Sequence, residues 1–399
     1  MTVVTDKNKI EEIFSRGTVA EILPNKEGLM GRLLSGDRLR IYIGFDPTGE
    51  SLHLGHAQNL IFLEDLRRLG HEVIVLFGDF TARIGDPDKA SARNALSPEE
   101  VKHFVSGWVE QVKPLVSFDD PNNPAKIMFN SEWLKTLSFE DVLSLASHFT
   151  VQHMIERDMF DKRLKAGSPI YLHEFMYPLM QGYDSVAMDV DVELCATDQI
   201  FNALAGRTLL RKMKNKDKHV IALRLLANPK TGEMMSKSQG SGVLLKSTPQ
   251  DMFGAIMAQP DEMTEVLLES CTRVSVDEKK SIVDLGPRDA KARVAYEIVA
   301  LVFGRESADH ARHSFETAFQ KGGVPDEMPT VVLAFGESFA DALVREGIVA
   351  SKTKWRRLVS DGAVSVHEGD KIDDPDFIRR DSCVIKIGKK IFVRFENSK

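Results

Sequence analysis

Apolar positions in the first eighty residues follow two different periods, and each period predicts one kind of element. Residues 39–45 are rich in β-branched and aromatic side chains and predict a strand, which ends in the turn Asp46-Pro47-Thr48-Gly49. Residues 53–69 have helical spacing and are closed by Gly70. The continuous apolar run over residues 72–77 is typical of a buried parallel strand. Strand, helix and strand in this order predict a right-handed βαβ unit.

The same alternation continues to about residue 226. Ser97, Pro98 and Glu100 predict the start of a helix with a capping box, and Ser138 with Asp141 predicts another start. The other predicted elements are a helix to about residue 116, a strand over 126–129, a helix over 171–183, a strand near the sheet edge over 189–195 and a helix from about residue 198. Residues 220–226 fit either a strand or a short apolar helix. This pattern predicts an α/β fold with a Rossmann-like, doubly wound parallel sheet.

The rest of the chain changes character twice. Residues 249–319 are mostly helical in pattern, and residues 322–329 contain two glycines and two prolines, as linkers do. We therefore expect a Rossmann-like domain over 1–240, a helical domain over 241–325 and a small α+β domain over 331–399. The elements expected in the last domain are a helix capped by Ser351, with Trp355, Leu358 and Val359 on its apolar face, and strands over 363–366, 383–387 and 391–395.

Composition narrows the class of protein. The chain has 399 residues, of which 43% are hydrophobic and 28% charged, as in globular proteins. No apolar stretch approaches the length of a membrane span, and the polar start lacks the features of a secretory signal, so we expect a cytoplasmic protein with no membrane association. Three widely separated cysteines, Cys195, Cys271 and Cys383, predict neither a disulfide framework nor a zinc site.

Charge is distributed unevenly along the chain. The formal net charge is −7, yet residues 331–399 carry a small positive excess. A long polyanion would therefore be repelled by most of the chain and tolerated by its C-terminal part. Binding of RNA, if it occurs, must use local cationic patches.

Two short motifs carry candidate chemistry. His53-Leu54-Gly55-His56 comes directly after a strand and turn, at a helix N-terminus, where backbone N–H groups and the helix dipole bind phosphate. Met235-Ser236-Lys237-Ser238 precedes a glycine-containing loop, and a lysine there can neutralise a leaving pyrophosphate. Taken alone, the first motif could be two surface histidines on a helix, and the second a solvated loop.

Together, in this order and roughly 180 residues apart, the two motifs resemble those of class I aminoacyl-tRNA synthetases. The segments that resemble the bacterial tyrosyl-tRNA synthetases are 42–48, 84–87, 177–184 and 197–199. Residues 340–395 resemble an S4-type RNA-binding domain. The resemblance implies that L-tyrosine and ATP form tyrosyl-adenylate, that tyrosine is then transferred to the 3′ adenosine of tRNA(Tyr), and that the chain forms a homodimer. It also implies Mg²⁺, held by the phosphates of ATP and water rather than by a protein site.

The resemblance assigns roles to individual residues. The tyrosine-binding group comprises Tyr42 and Asp184 at the phenol, Asp86, Tyr177 and Gln181 at the ammonium group, and Gln199 near the carboxylate. The ATP-binding group comprises Asp46, Gly55, Asp198, Met235, Ser236, Lys237 and Ser238. The groups expected to stabilise charge on the reacting phosphates are Thr48, His53, His56, Lys89 and Lys237. The residues expected to bind RNA are Lys352, Lys354, Arg356 and Arg357.

The residues also allow plainer readings. Tyr42 could be a core aromatic, and Tyr177, Gln181 and Asp184, at i, i+4 and i+7, could form a solvated helix face. Asp198 could be a helix N-cap instead of, or as well as, a ribose ligand.

Glu193 could be a solvated carboxylate at the sheet edge. A cationic cluster could be a solvated helix end or lie under the acceptor stem of the tRNA; it comprises Arg207, Arg211, Lys212, Lys214, Lys216 and Lys218.

The sequence departs from the family pattern at three places, one of which is Glu193, where some relatives are expected to have an amide. Met234 stands where the lysine loop often begins with lysine, and Cys195-Ala196-Thr197 replaces a glycine-rich segment. Three other functions compete: a tryptophan-charging relative, a non-catalytic RNA-binding or splicing protein on the same scaffold, and a nucleotidyltransferase that makes a small cofactor. The pair Tyr42 and Asp184 argues against the first, the intact motifs against the second, and the S4-like tail against the third.

Overall fold

The computed structural model describes residues 2–85, 96–235, 242–320, 328–333, 337–366, 371–376, 382–388 and 391–397. The chain divides into two compact units, residues 1–308 and 309–399. Residues 242–308 thus belong to the same unit as the preceding sheet, while the three-domain division remains a prediction. No helix within the described ranges is long and apolar enough to cross a membrane.

The first unit is built on a six-stranded sheet. Its strands are β1 (Val19–Leu23), β2 (Arg40–Phe45), β3 (Glu72–Phe77), β4 (Lys126–Phe129), β5 (Val192–Ala196) and β6 (His219–Leu223). Their order is β1-β6-β5-β2-β3-β4, and all neighbours are parallel except β1 and β6. The predicted doubly wound sheet is therefore confirmed, with one antiparallel edge strand added.

Two strand predictions are corrected by this order. The segment over 189–195 was expected at the edge, but β5 lies between β6 and β2 and four of its five residues are buried. Acidic residues at alternate positions indicate a solvated edge only when nothing compensates their charge, and Glu193 has a buried partner. Residues 219–223, part of the segment left open between strand and helix, form strand β6. Strand β1 was not predicted, because its five residues are only partly buried.

Among the described residues, fifteen helices begin in the first unit. They are α1 (Lys7–Ser15), α2 (Lys26–Leu34), α3 (Leu54–Arg68), α4 (Pro98–Val112), α5 (Ser131–Leu134), α6 (Phe139–Ala146), α7 (Val151–Ile155), α8 (Asp158–Lys165), α9 (Met176–Met188), α10 (Ile200–Lys214), α11 (Pro249–Met257), α12 (Met263–Cys271), α13 (Val276–Val283), α14 (Pro287–Phe303) and α15 (Arg305–Gln320). Short 3₁₀ turns cover Thr81–Arg83, Leu172–Phe175 and Thr197–Gln199.

Local sequence signals explain where several helices begin. Ser97 and Glu100 form the predicted capping box at α4, and Ser138 and Asp141 form the one at α6. Each box satisfies backbone donors that a helix start leaves open, so these boundaries follow from the sequence.

Helices α9 and α10 pack closely at Gly182, where a Cβ would lie 3.2 Å from the backbone nitrogen of Gly206. Gly206 in turn leaves room for side chains, because a Cβ there would lie 2.6 Å from the Lys218 ammonium. Helix α14 packs against α11, α12 and α13, and α12 packs against α3. The helical region is thereby attached to the helix that follows the first strand of the βαβ unit.

The second unit has its own small sheet and core. The elements that complete it are β7 (Thr330–Leu333), α16 (Phe339–Arg345), α17 (Lys352–Ser360), β8 (Val364–Val366), β9 (Cys383–Ile387) and β10 (Ile391–Asn397). The sheet order is β7-β10-β9-β8. Trp355 and Val359 are buried in its core and Leu358 packs against it, as the helix pattern predicts. Strand β7 was not predicted, and most of the proposed linker lies outside the described residues.

Candidate active site

The candidate site lies at the carboxyl ends of the central strands. Strand β2 has β3 on one side and β5 on the other. The chain continues from β2 to β3 and β4 on the first side, and later to β5 and β6 on the second, so strand order reverses between β2 and β5. Pairing between β2 and β5 is limited to Ile41 with Val192 and Tyr42 with Glu193. Gly44, near the end of β2, is exposed although its strand is internal. Ligands of doubly wound sheets bind at such a point.

The HxGH motif builds the start of α3, which follows the carboxyl end of β2. His53 is the N-cap, and its Nδ1 accepts a hydrogen bond from the Gly55 nitrogen at 3.1 Å. The Nδ1 of His56 accepts one from the His53 nitrogen at 3.2 Å. Because both Nδ1 atoms accept, each neutral ring carries its hydrogen on Nε2, as a donor. A Cβ at Gly55 would lie 2.8 Å from His53 Cε1, so glycine is what lets that ring fold over the helix end.

The described residues on both sides of the second motif are held by backbone hydrogen bonds. The Leu54 nitrogen donates to the Val243 carbonyl at 3.0 Å, and the Leu245 nitrogen donates to the Leu52 carbonyl at 2.9 Å. On the other side of the loop, the nitrogen of the buried Met235 donates to the Leu226 carbonyl at 2.8 Å. Residues 236–241, with Ser236, Lys237 and Ser238, lie outside the described residues, but the chain that follows them pairs with the HxGH segment.

The two proposed phenol-binding residues lie in one buried region. Tyr42 is 1% exposed and its hydroxyl is 3.1 Å from the Ser185 hydroxyl, next to Asp184 on α9. Asp184 is 3% exposed and accepts hydrogen bonds from Trp133 Nε1 at 2.7 Å and Asn130 Nδ2 at 3.4 Å. Tyr42 also packs in an apolar cluster, so it is a core aromatic with a hydrogen-bonded hydroxyl.

Electrostatics at this pair follow from burial. Burial, with the nearby charges of Glu193 and Asp184, raises the pKa of Tyr42. Burial also raises the pKa of Asp184 well above 3.8, against the effect of the hydrogen bonds from Trp133 and Asn130. Among the described residues, Trp133 and Asn130 are the two donors that favour the charged form of Asp184.

The polar stripe on α9 is not a solvated face. The Tyr177 hydroxyl donates to Asp46 Oδ2 at 2.7 Å, and Thr81 donates to Asp46 Oδ1 at 2.6 Å. Gln181 is half-buried, and its Nε2 donates to Glu193 Oε1 at 2.9 Å. Asp46, expected at ATP, is therefore joined to the ammonium-binding group through Tyr177. Asp86 and Lys89 lie outside the described residues.

The structure corrects the predictions made for Glu193 and Lys218. Glu193 is 2% exposed and ion-paired with Lys218, which is fully buried and directly precedes β6. Neither residue is a solvated charge, because each buried charge needs the other as its partner.

Two arginines of the cationic cluster are ion-paired. Arg207 and Arg211 each form two hydrogen bonds with Asp217. Partial burial raises the pKa of Asp217, but these hydrogen bonds outweigh burial and lower the pKa to about 2.

Asp198, Gln199 and Thr48 follow the carboxyl ends of β5 and β2. Asp198 is exposed and accepts from Gln199 Nε2 at 3.3 Å. It caps neither the 3₁₀ turn nor α10, so the N-cap reading is wrong. Gln199 Oε1 accepts from Asn202 at 3.0 Å, and Thr48 is half-buried just after β2. All four proposed RNA-binding side chains are exposed on α17 in the second unit, where Lys352 pairs with Asp341 at 2.5 Å.

Sequence reasoning missed several polar groups at the pocket. Asn130 and Trp133 directly follow β4, and the rule that ligand groups gather at the carboxyl ends of parallel strands would have found them. Ser185 and Lys218 carry no such local signal, because their roles depend on how α9 and β6 come together.

Comparisons with known proteins agree with this geometry. Residues 34–320 match the family described as tRNA synthetases class I (W and Y). The chain is 42% identical to a tyrosine–tRNA ligase of Carboxydothermus hydrogenoformans over 96% of both chains, and 39% identical to one of Haemophilus influenzae over 99% of both. The chain belongs to the tyrosine–tRNA ligase family.

Solved structures show the same fold at low sequence identity. A truncated mitochondrial tyrosyl-tRNA synthetase of Aspergillus nidulans aligns with a TM-score of 0.67 and 21% identity, covering 78% of this chain and 94% of that one. The tyrosyl-tRNA synthetase of Archaeoglobus fulgidus, solved with L-tyrosine, aligns at 0.59 over 76% and 99%. Met234, one of the three departures expected from the sequence, is exposed.

Proposed function

We propose that this chain activates L-tyrosine with ATP, releases pyrophosphate, and transfers tyrosine to the 3′ adenosine of tRNA(Tyr). The observation that carries the proposal is the pairing of residues 52–54 with residues 243–245, which joins the HxGH segment to the chain that follows the second motif. Membership of the tyrosine–tRNA ligase family supports the same reaction.

The first step is an in-line attack of the tyrosine carboxylate on the α-phosphorus of ATP. A new C–O–P bond forms and the bond between the α- and β-phosphates breaks, with its electrons leaving on pyrophosphate. The nucleophile is already ionised, so no general base is required. Catalysis then consists of positioning and charge stabilisation, in which the Nε2–H donors of His53 and His56 would contact phosphate oxygens.

Recognition of tyrosine rests on the buried pair. A pocket with hydrogen-bonding partners for a phenol rejects the analogue that lacks the hydroxyl by ~10⁴–10⁵ without editing. Asp184, with a raised pKa and two protein donors, has capacity to accept from the phenol. Gln181 lies one turn and Tyr177 two turns before Asp184 on α9, where we place the ammonium group of the substrate.

MgATP is the proposed nucleotide substrate. Among the described residues no group of three or more His, Cys, Asp or Glu side chains is arranged to hold a metal ion. We place Mg²⁺ on the phosphates of ATP, because this ion keeps several waters and binds substrate phosphates readily. We also propose a cytoplasmic protein, since its three cysteines are buried free thiols.

Pyrophosphate exchange tests the first step. Purified protein is expected to exchange pyrophosphate into ATP with tyrosine, and not with phenylalanine or tryptophan. Exchange with tryptophan instead would favour the tryptophan-charging relative, and folded protein with no exchange would favour a non-catalytic RNA-binding role. The variant His56→Ala should lose exchange while retaining its fold.

The second unit is proposed to bind the tRNA. Lys354, Arg356 and Arg357 lie exposed on α17, opposite the buried face of Trp355 and Val359. Charge reversal by Arg356→Glu should raise the KM for tRNA(Tyr) and lower the salt dependence of binding, and leave pyrophosphate exchange unchanged. Equal tRNA affinity at every salt concentration would contradict this role.

A homodimer is also proposed. The four most exposed large apolar side chains of the described residues, Phe139, Leu172, Val151 and Tyr171, all fall between residues 139 and 172. Apolar side chains concentrated in this way are typical of an interface with another chain. Sedimentation should give twice the mass of the chain, and Phe139→Glu with Leu172→Glu should give a monomer; a monomeric wild type contradicts the proposal.

A further inference from the structure

A buried ion pair lies beneath the tyrosine pocket. Glu193 and Lys218 are 2% and 0% exposed and are in direct contact. They lie on adjacent strands or their ends, because Glu193 is on β5 and Lys218 directly precedes β6. The free energy needed to remove two charges from water often exceeds the attraction between them, so stability alone does not explain a buried pair at this position.

Each oxygen of Glu193 is joined to a different residue of the pocket wall. Oε1 accepts from Gln181 Nε2 at 2.9 Å, and Oε2 accepts from the Ser185 hydroxyl at 3.3 Å. The Lys218 ammonium donates to Ser185 at 2.6 Å and lies 5.7 Å from the centroid of the Tyr42 ring. Ser185 in turn is 3.1 Å from the Tyr42 hydroxyl.

The carboxylate fixes which way round the Gln181 amide lies. A carboxylate only accepts hydrogen bonds, so Gln181 must turn its NH₂ toward Glu193 and its carbonyl oxygen away. A carbonyl oxygen turned away from Glu193 is the acceptor that a substrate ammonium group needs. An unpaired buried carboxylate would not remain in this position, so the orientation of Gln181 depends on Lys218.

We infer that the Lys218–Glu193 pair is a positioning element of the tyrosine pocket, in which Lys218 holds Glu193, and Glu193 orients Gln181 and, through Ser185, Tyr42. The inference rests on the proposed function, because it assigns Gln181 and Tyr42 to tyrosine. Neither Lys218 nor Glu193 needs to touch the substrate. Gly206 is part of the arrangement, since a Cβ there would lie 2.6 Å from both the Lys218 ammonium and the Ser185 hydroxyl.

The test compares charge removal with charge-balanced removal in the full chain. In pyrophosphate exchange, Lys218→Met should raise the KM for tyrosine by ~10-fold or more, with kcat and the KM for ATP within about 2-fold of wild type. The double variant Lys218→Met with Glu193→Gln should bring the KM for tyrosine back to within ~3-fold, because the amide oxygen introduced by Glu193→Gln can accept from Gln181 with no charge left unpaired.

Two further variants keep the test decisive. Lys216→Met is the matched control: Lys216, two residues before Lys218, forms a partly buried ion pair with Asp191, and its loss should leave the KM for tyrosine unchanged. Gly206→Ala changes no charge but displaces the ammonium, and should raise the KM for tyrosine in the same way as Lys218→Met. If Lys218→Met does not fold, Gly206→Ala and the double variant decide the question.

The outcomes distinguish failure of the proposed function from failure of the positioning role. Wild-type protein with no tyrosine-dependent exchange overturns the proposed function. An active wild type whose folded Lys218→Met or Gly206→Ala variant keeps the same KM for tyrosine overturns the positioning role alone. A joint rise of both KM values with a fall in kcat, not rescued by the double variant, would show that the pair supports only the fold.

Discussion

Replacing Trp133 by phenylalanine isolates one hydrogen bond of the phenol site. Trp133 Nε1 donates to Asp184 Oδ1 at 2.7 Å, and Asn130 provides a longer bond of 3.4 Å to the other oxygen. Phenylalanine removes the shorter bond and keeps an aromatic ring. Asp184 then has only the weaker protein donor in a site that already raises its pKa, and the Trp133 bond is the largest influence that lowers that pKa.

The size of the effect follows from the kind of bond that is lost. A hydrogen bond to a charged group contributes ~1.5–3 kcal/mol, and 1.4 kcal/mol corresponds to about tenfold in an equilibrium constant. We therefore expect the KM for tyrosine in pyrophosphate exchange to rise by ~10- to 100-fold in Trp133→Phe. Phenylalanine has no hydroxyl to lose contact with Asp184, so Trp133→Phe should not impair its binding, and discrimination between the two amino acids should fall. The acid limb of activity should move to higher pH, because the carboxylate is then protonated more readily.

A matched control distinguishes recognition from stability. Trp355, in the second unit, is fully buried and its Nε1 donates to the Pro375 carbonyl at 2.8 Å. Trp355→Phe makes the same chemical change and should lower the melting temperature without altering the KM for tyrosine. If Trp133→Phe loses stability but keeps the wild-type KM for tyrosine, Asp184 is not the phenol acceptor and the reasoning fails.

Three further perturbations test separate parts of the structure. Asp184→Asn should abolish tyrosine-dependent exchange and raise the melting temperature at pH 8, because a carboxyl whose folded pKa is raised loses stability as pH rises; a lower melting temperature would contradict this. Burial lowers the pKa of His71 to about 4 from 6.5, so unfolding free energy should fall by about 3 kcal/mol as pH drops through this window, and urea titrations of His71→Gln should lack that slope. A Cβ at Gly78 would collide with the Asp46 carboxylate and the hydroxyl that donates to it, so Gly78→Ala should raise the KM for tyrosine by ~5- to 100-fold; an unchanged KM would remove Asp46 from the pocket.

Local sequence determined the elements around the site. The strand, turn and helix containing His53-Leu54-Gly55-His56, the capping boxes at α4 and α6, and the apolar face of α17 all depend on neighbouring residues, and all are found as expected. The motifs also indicated the family, because their chemistry requires particular residue types at fixed spacing.

Strand order was decided by tertiary structure. Nothing in residues 189–195 indicates which strands lie on either side, so their alternating acidic pattern predicted an edge where the sheet has an interior strand. The same limitation made Glu193 and Lys218 look like two solvated charges. They are 25 residues apart in the chain and become partners only when β5 and β6 pair.

The residues of the pocket therefore form two groups, those placed by local sequence and those placed by tertiary contacts. Residue types and helical spacing placed Tyr177, Gln181 and Asp184 on one face of α9, since a helix is fixed by local hydrogen bonds. Which groups support that face, Lys218 behind Glu193 and Trp133 against Asp184, depends on contacts between distant segments. Burial makes those contacts obligatory, because a charge removed from water must find its partner within the fold.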